Sequence, residues 1–415
     1  MLTAGVPRVG RRRSALDPRA VHLLPAKASL MARPRVVTPS RMGRSSAHVV
    51  VIGAGVQGLS AAYYLTSFGI TDVVVVEKSR IGAGSSSRSA SMLMLQRESE
   101  PKIRLSQYSY SRFMEFGMEM GVGIGFRRIG SLSIVPEGER AVALERASLR
   151  KQLGVRTNVL TPSEIVDMVP QLNVDDIACG IFGPDDGVFK PQAIMDGYSQ
   201  KAVEHGAAVE LRRLATGIRV EGHRVVGVET NEGFISGPFV VNAAGADAIE
   251  VAHWVGAELP LENATRSIYL TGPTPSIRDD VPLVEDAGAH WYFRREGAGV
   301  LIGMGREKHQ PASDTPNLEF LPTVREFAKH RVPILADFEV AGGWSGIRPL
   351  TPDLTPILGP IDGVEGFVNS CGWGGEGIMH APAGGSIVAS FIAGKKHPQF
   401  DLEPFLLSRF PTSDG

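Results

Sequence analysis

The stretch AHVVVIGAGVQGLSAAYYLTSFGITDVVVVEKS, residues 47–79, constrains the fold of this chain more than any other segment. It opens with a short β-branched run, His48 to Ile52, of the kind that forms a strand buried on both faces of a parallel sheet. Gly53, Gly55 and Gly58 follow in G-x-G-x-x-G spacing. In that spacing the first glycine makes a tight turn, the second lets a pyrophosphate approach the backbone, and the third lets the next helix pack on the strand. Val56 and Gln57 sit between them and begin the helix, whose N-terminal N–H groups and dipole favour phosphate. A second apolar run, Val73 to Val76, ends in Glu77 and Lys78. A carboxylate at that place accepts hydrogen bonds from both ribose hydroxyls of an adenosine, and an acid rather than an arginine argues against a 2′-phosphate. Strand, glycines, helix, strand and acid in this order predict a dinucleotide-binding α/β unit.

The next segment, RIGAGSSSRSASMLML, replaces a standard third βα unit with small and hydroxyl residues. Ser85, Ser86, Ser87 and Arg88 are candidates for wrapping a pyrophosphate; a solvated glycine-serine loop is the alternative.

Composition narrows the class. With 415 residues, 43% of them hydrophobic, the chain has material for one or two ordinary cores. No apolar run reaches the roughly 18–20 residues of a membrane span. The two cysteines, Cys179 and Cys371, are far apart and in no ligand spacing, which argues against a disulfide framework or a metal site. Residues 1–46 hold ten Lys/Arg against Asp17, a net +9, so the remainder of the −1 chain carries −10. An acidic body does not suggest nucleic-acid binding. The basic leader is similar in composition to an organellar transit peptide. The favoured reading is an untranslated or disordered upstream extension, with Met31 and Met42 as alternative starts and folding from His48. The expected location is therefore the cytoplasm, or the mitochondrial matrix if the leader is a transit peptide.

Four blocks in order resemble one family. They are the dinucleotide unit above, GPDDGVFKPQAIMDGYSQKAVEHGAAV, LRRLATGIRVEGHRVVGVETNEGFISGPFVVNAAGADA, and GGWSGIRPLTPDLTPILGPIDGVEGFVNSCGWGGEGIMHAPAGGSIVASFIAG. From Ala47 to about Lys395 the chain resembles the FAD-dependent amine oxidoreductases that include D-amino-acid oxidase, glycine oxidase, the sarcosine oxidases and dimethylglycine dehydrogenase. Within them it looks most like the sarcosine oxidase β subunit and proline dehydrogenase β subunit group. The resemblance implies an α/β fold: a Rossmann-like, glutathione-reductase-like FAD-binding domain from residues 47–97, 185–250 and 344–397. A discontinuous α+β substrate domain on a mixed or antiparallel sheet would come from residues 98–184 and 251–343, with 398–415 as a C-terminal tail.

The same resemblance assigns candidate sites. Ala215 would meet the adenine, and Ala244 and Gly245 would run beside the cofactor. The turn NSCGWGGEGIMHAP, with Gly372, Gly375, Gly377, Ile378 and Met379, would approach flavin N1 and O2. Arg348, in the G-x-R-P pattern, would hold a substrate carboxylate, with a salt bridge to Asp353 or Glu376 as the structural alternative. The residues themselves add that AHWYFRREGAGVLIGMGREK reads as a hairpin whose first strand, starting at His290, alternates His290, Tyr292 and Arg294 against Trp291 and Phe293. Tyr292 or His290 would roof the pocket and hydrogen-bond the carboxylate or amine, with core packing as the equal alternative, and Arg266 is a weaker basic candidate. Gly346 stands where some members tether flavin through a cysteine, and GSSSRSAS has no histidine; noncovalent FAD is expected, with His380 the remaining question. Met379 stands where oxygen-reactive members place a lysine, so the electron acceptor is either oxygen or a partner subunit or carrier. The implied reaction is oxidation of the C–N bond of a small carboxylated amine, sarcosine- or proline-like, by hydride transfer to flavin N5. A primary-amine glycine or D-amino-acid oxidase, or a non-catalytic FAD-bearing assembly subunit, are the alternatives.

Overall fold

Two sheets carry the architecture of the computed structural model, which describes residues 43–305, 307 and 310–411. In the first, strand β1 (Val49–Ile52) is followed by helix α1 (Val56–Ser67) and strand β2 (Val73–Glu77), with Val49 in parallel register with Val73. Helix α2 covers Glu100–Met120. Strand β3 (Phe239–Asn242) lies on the other side of β1, and Val364–Cys371 lies beside β3. Ala208–Leu211 extends the sheet beyond β2, and the antiparallel pair Ala215–Glu221 and Arg224–Thr230 ends the other side.

The uninterrupted apolar runs have a direct cause. Successive side chains of a strand point to opposite faces, and both faces are covered here. Val49, Val51, Val73 and Val75 enter a core with α1, whereas Val50, Ile52, Val74 and Val76 enter another with Ala215, Ile218, Val225 and Val228. Gly58 makes the first packing possible: a Cβ there would lie 2.0 Å from the Gly53 carbonyl oxygen. Gly53 itself has φ +107°, a conformation that glycine adopts without strain.

The second sheet contains β4 (Glu262–Thr271), β5 (Leu283–Asp286), β6 (Trp291–Glu296), β7 (Gly299–Met304) and β8 (Val340–Leu350). They lie in the order β8-β4-β7-β6-β5, followed by Ser131–Pro136, Ile177–Gly183 and Asn158–Leu160. Pairing is antiparallel except between β5 and Ser131–Pro136, so the sheet is mixed. One face buries Tyr269, Val284, Trp291, Phe293 and Ile302 under the helix Leu321–Arg331. Strand alternation then sends Arg266, Ile268, Glu285, Tyr292, Gly346 and Arg348 to the opposite face.

Two local expectations, folding from His48 and a strand from His290, are corrected. Contacts with the fold begin before His48: the Arg44 N–H donates to Glu210 at 2.8 Å and its guanidinium pairs with Asp72. Residues 1–42 of the leader lie outside the described residues. The C-terminal stretch is packed, with Phe405 1% exposed and Arg409 bonded to Asp353 at 2.8 Å. The β5–β6 turn occupies 287–290, so the strand predicted from His290 starts at Trp291. Among the described residues, no helix is long and apolar enough to cross a membrane, and no group of three or more His, Cys, Asp or Glu is placed to hold a metal ion.

Candidate active site

A cavity of about 780 Å³ runs from the carboxyl ends of β1 and β2 to the polar face of the second sheet. Gly53, Gly55, Val56 and Gln57 line it from the first turn, and Glu77 and Lys78 from the end of β2. Helix α1 begins at Gly55 without a cap from that residue, and the Val56 N–H is met by Ser86 Oγ at 3.0 Å. Glu77 is 9% exposed; one carboxylate oxygen accepts from the Ala54 N–H at 3.0 Å and the other from the Ser79 N–H at 2.8 Å. Those bonds hold the acid at the strand end. Ala215, Ala244 and Gly245 line the same lobe, and Lys78 pairs with Asp247 at its exposed rim.

The serine-rich segment forms a 3-10 turn, Ser86–Arg88, against β8. Ser85, Ser86 and Arg88 line the cavity, and Ser85 and Arg88 also bond within the chain. Ser85 donates to the Ile347 carbonyl, and Arg88 donates to Ala83 and Gly84 and pairs with Asp314 at 2.9 Å. Trp344 Nε1 donates to the Arg88 carbonyl at 2.8 Å. The segment is therefore a strap that positions Gly346 and Arg348.

Strand β9 (Val364–Cys371) leads through a glycine turn into helix α3 (Ala381–Ile392). Gly372, Gly375, Gly377, Ile378 and Met379 line the cavity. Gln57 Nε2 donates to the Gly377 carbonyl at 2.7 Å, and Ser60 Oγ to that of Ala381 at 2.6 Å, so α1 and the glycine turn are tied together. Arg348 lies against this turn, because a Cβ on Gly375 would be 2.3 Å from its Nη2. Nearby, Asp353 pairs with Arg409, and Glu376 with Arg97 and Lys102.

Behind the turn lies a buried ionic cluster. Lys102 of α2, 1% exposed, reaches Glu376 at 2.8 Å and also pairs with Glu98. Burial would raise the Glu98 pKa, but Arg97 and Lys102 outweigh it and pull it down to about 2. His380 Nε2 is 2.8 Å from Ser106 Oγ. Its burial, with the charges of Arg97 and Lys102, holds its pKa well below the ordinary value.

Three sequence candidates do not line the cavity. Gly58 faces the Gly53 backbone, and Ser87 bonds the Gly82 carbonyl through its backbone N–H. His290 is an exposed turn residue with φ +53° outside the cavity lining. The cavity instead contains Arg97, Glu285 and Met94, which sequence reasoning passed over. Arg97 carries no motif. Glu285 becomes visible only through its register opposite Tyr292.

Residues 48–391 match the family described as FAD dependent oxidoreductase, abbreviated DAO. The chain belongs to that family. It is 31% identical over 392 residues to mitochondrial sarcosine dehydrogenase of Homo sapiens, covering 90% of this chain and 42% of that protein. To the mitochondrial pyruvate dehydrogenase phosphatase regulatory subunit of Mus musculus it is 26% identical over 364 residues, covering 84% and 41%. To sarcosine oxidase subunit beta of Rhizobium meliloti it is 28% identical over 370 residues, covering 87% and 88%. The crystal structure of L-proline dehydrogenase from P. horikoshii superposes with a TM-score of 0.80 at 28% identity, covering 88% of this chain and 98% of that one. The chain thus spans about two fifths of the length of the mitochondrial relatives it matches. The expected DAO-type fold, with its α/β cofactor sheet and mixed second sheet, is the one observed.

The residues present fit FAD. One cavity is lined both by Glu77 at the end of β2 and by the glycine turn and Tyr292, with the start of α1 at Gly55 and Val56 also in its lining.

Proposed function

We propose that this family member oxidises the C–N bond of a small amine bearing a carboxylate, a secondary amine of the sarcosine or proline kind. The observation that carries this reading is the guanidinium of Arg348 in the cavity wall, packed on Gly375 of the turn that would approach the flavin. A planar fork of N–H donors there suits a carboxylate and would fix the reacting carbon beside the cofactor. When bound, FAD supplies the acceptor for a hydride from that carbon.

The chain's own residues have distinct tasks in this proposal. Arg348 holds the carboxylate, and Tyr292 lines the pocket from the same sheet face. The N–H groups of the glycine turn and the start of α3 stabilise negative charge at the pyrimidine edge of the flavin. Glu77 receives the ribose, the Gly53–Gln57 turn and Ser86 the pyrophosphate, and Ala215, Ala244 and Gly245 the adenine side. The nine-stranded sheet would then be the core of the cofactor domain and the eight-stranded sheet that of the substrate domain, with the boundaries set out from sequence.

Noncovalent binding is supported by the lining. No histidine lines the cavity among the described residues, and Gly346 leaves the tethering position without a nucleophile. Cys371 does line it, but burial pushes its thiol up to about 12, and the thiolate is the reactive form. The acceptor is oxygen or a partner subunit; the subunit named among the relatives supports the second. The compartment follows the leader: cytoplasm, or mitochondrial matrix if residues 1–46 are a transit peptide.

A second reading, a non-catalytic FAD-bearing regulatory or assembly subunit, is favoured by the regulatory subunit among the relatives. One titration separates the two: anaerobic addition of N-methyl, cyclic and D-amino acids to the yellow protein, followed by air. Bleaching by a carboxylated amine supports catalysis, and formaldehyde rather than ammonia then distinguishes an N-methyl amine from a primary one. Arg348→Ala should raise the half-saturating concentration by roughly 30- to 1000-fold, equivalent to about 2–4 kcal/mol. If no carboxylated amine bleaches the flavin, or if that variant binds unchanged, the catalytic reading fails.

A further inference from the structure

Arg348 shares its sheet face with a second arginine. Strands β4 and β8 are antiparallel, with Arg266 opposite Gly346 and Ala264 opposite Arg348. Arg266 and Arg348 are therefore diagonal cross-strand neighbours on one face, their Cα atoms on the order of 7–8 Å apart. Gly346 contributes no side chain between them, and both arginines line the cavity.

The environment of Arg266 differs from that of the other arginines there. Arg88 pairs with Asp314, Arg97 with Glu376 and Glu98, and Arg213 with Glu210. Arg266 donates Nε to the Gly305 carbonyl at 2.9 Å and lies over the Tyr292 ring, 5.5 Å from its centroid. Both contacts orient the guanidinium, and neither supplies a negative charge. No carboxylate of the described residues forms an ion pair with it. Glu285, across from Tyr292 on this face, acts electrostatically on Arg97.

We infer that the substrate carries two anionic groups: one carboxylate on Arg348 and a second on Arg266, with the amine between them. This rests on the carboxylate role proposed for Arg348. A stacked, preoriented guanidinium without a carboxylate partner is a fork for a planar anion. Removing it from water in a filled site is unfavourable unless the ligand brings the counter-charge. A monocarboxylate such as sarcosine or proline leaves that charge unmet. A short N-substituted amino dicarboxylate, for example N-methylaspartate or iminodiacetate, meets both.

The test uses the purified FAD-loaded protein in two measurements. In calorimetry, non-reacting succinate and malonate are compared with acetate and butyrate. In anaerobic flavin reduction, N-methylaspartate and iminodiacetate are compared with sarcosine and proline. The inference expects dicarboxylates to bind at least about 10-fold tighter than monocarboxylates, and expects Arg266→Gln to collapse that ratio toward one while Arg266→Lys restores part of it. Equal binding of both classes by the unaltered protein overturns it. So does a preference that survives Arg266→Gln, or one that Arg266→Gln and Arg266→Lys remove equally. Bleaching by monocarboxylated amines without a dicarboxylate preference overturns this inference and leaves the proposed activity standing. An Arg266-dependent dicarboxylate preference in calorimetry without bleaching by any amine supports the two-anion site and overturns the activity.

Discussion

Arg348 and Gly375 touch across the cavity wall, with so little space between them that a Cβ on the glycine would lie 2.3 Å from the arginine Nη2. The guanidinium thus packs directly on the backbone of the glycine turn. Gly375→Ala should displace Arg348 and raise the half-saturating concentration of the reducing amine on the order of 10- to 100-fold, because a shift of about 1 Å is enough to spoil alignment. Titration of flavin reduction checks this, with bound FAD measured alongside. An unchanged titration would show that the arginine is not held by the turn.

Lys102 should prove a stability residue for the same turn. Its ammonium group is buried between Glu376 and Glu98 and also approaches the Leu354 carbonyl at 3.3 Å. Lys102→Met leaves buried carboxylate charge short of a partner, a change expected to cost about 3–5 kcal/mol. Urea unfolding of the FAD-loaded protein measures it. A loss under about 1 kcal/mol would mean that Arg97 alone balances the cluster.

Acid should destabilise the fold through its buried histidines. His380 is held well below its ordinary value by burial and by Arg97 and Lys102, and burial lowers His397, also buried, from 6.5 to about 4. A histidine whose pKa is depressed on folding contributes stability that is present above about 6.5 and lost as pH falls toward the folded value. Asp186 opposes this trend. Burial pushes its carboxyl from 3.8 up to about 6, against donors from the Leu95 N–H and Ser131 hydroxyl. It favours the folded state when protonated and loses that contribution as pH rises through about 6. Unfolding free energies at pH 7 and pH 5 should therefore differ less in His380→Gln than in the unaltered protein, and more in Asp186→Asn.

Acid precipitation should release the flavin. The thiol of Cys371, pushed up to about 12 by burial, supplies almost no thiolate near neutral pH. A yellow supernatant over a colourless pellet is the expected result, and Cys371→Ser should give the same partition. Colour retained in the pellet of the unaltered protein would identify a covalent link.

The legible parts of the site are those that short-range chemistry dictates. Gly53 and Gly58 could be read because their spacing is demanded by one tight turn and one close helix contact, and Glu77 because it ends a buried strand. Ser85 and Arg88, phosphate candidates by composition, line the cavity, and composition gave no sign that Ser85 also bonds the Ile347 carbonyl and Arg88 pairs with Asp314. A hydroxyl or guanidinium does not reveal its partner when that partner lies more than 200 residues away. His290 was misread by one position: the turn ends on it, so alternation begins at Trp291.

The sequence by itself determined the dinucleotide unit, the two types of sheet and the presence of an arginine beside a glycine turn, since each depends on residues close together along the chain. Only the tertiary structure decided which charges meet. The β4–β8 register sets Arg266 beside Arg348, the β5–β6 register sets Glu285 opposite Tyr292, and packing of α2 against the glycine turn brings Lys102 to Glu376. Register and packing follow from burying whole sheet faces at once, so they are properties of the assembled core and are not written in any one segment.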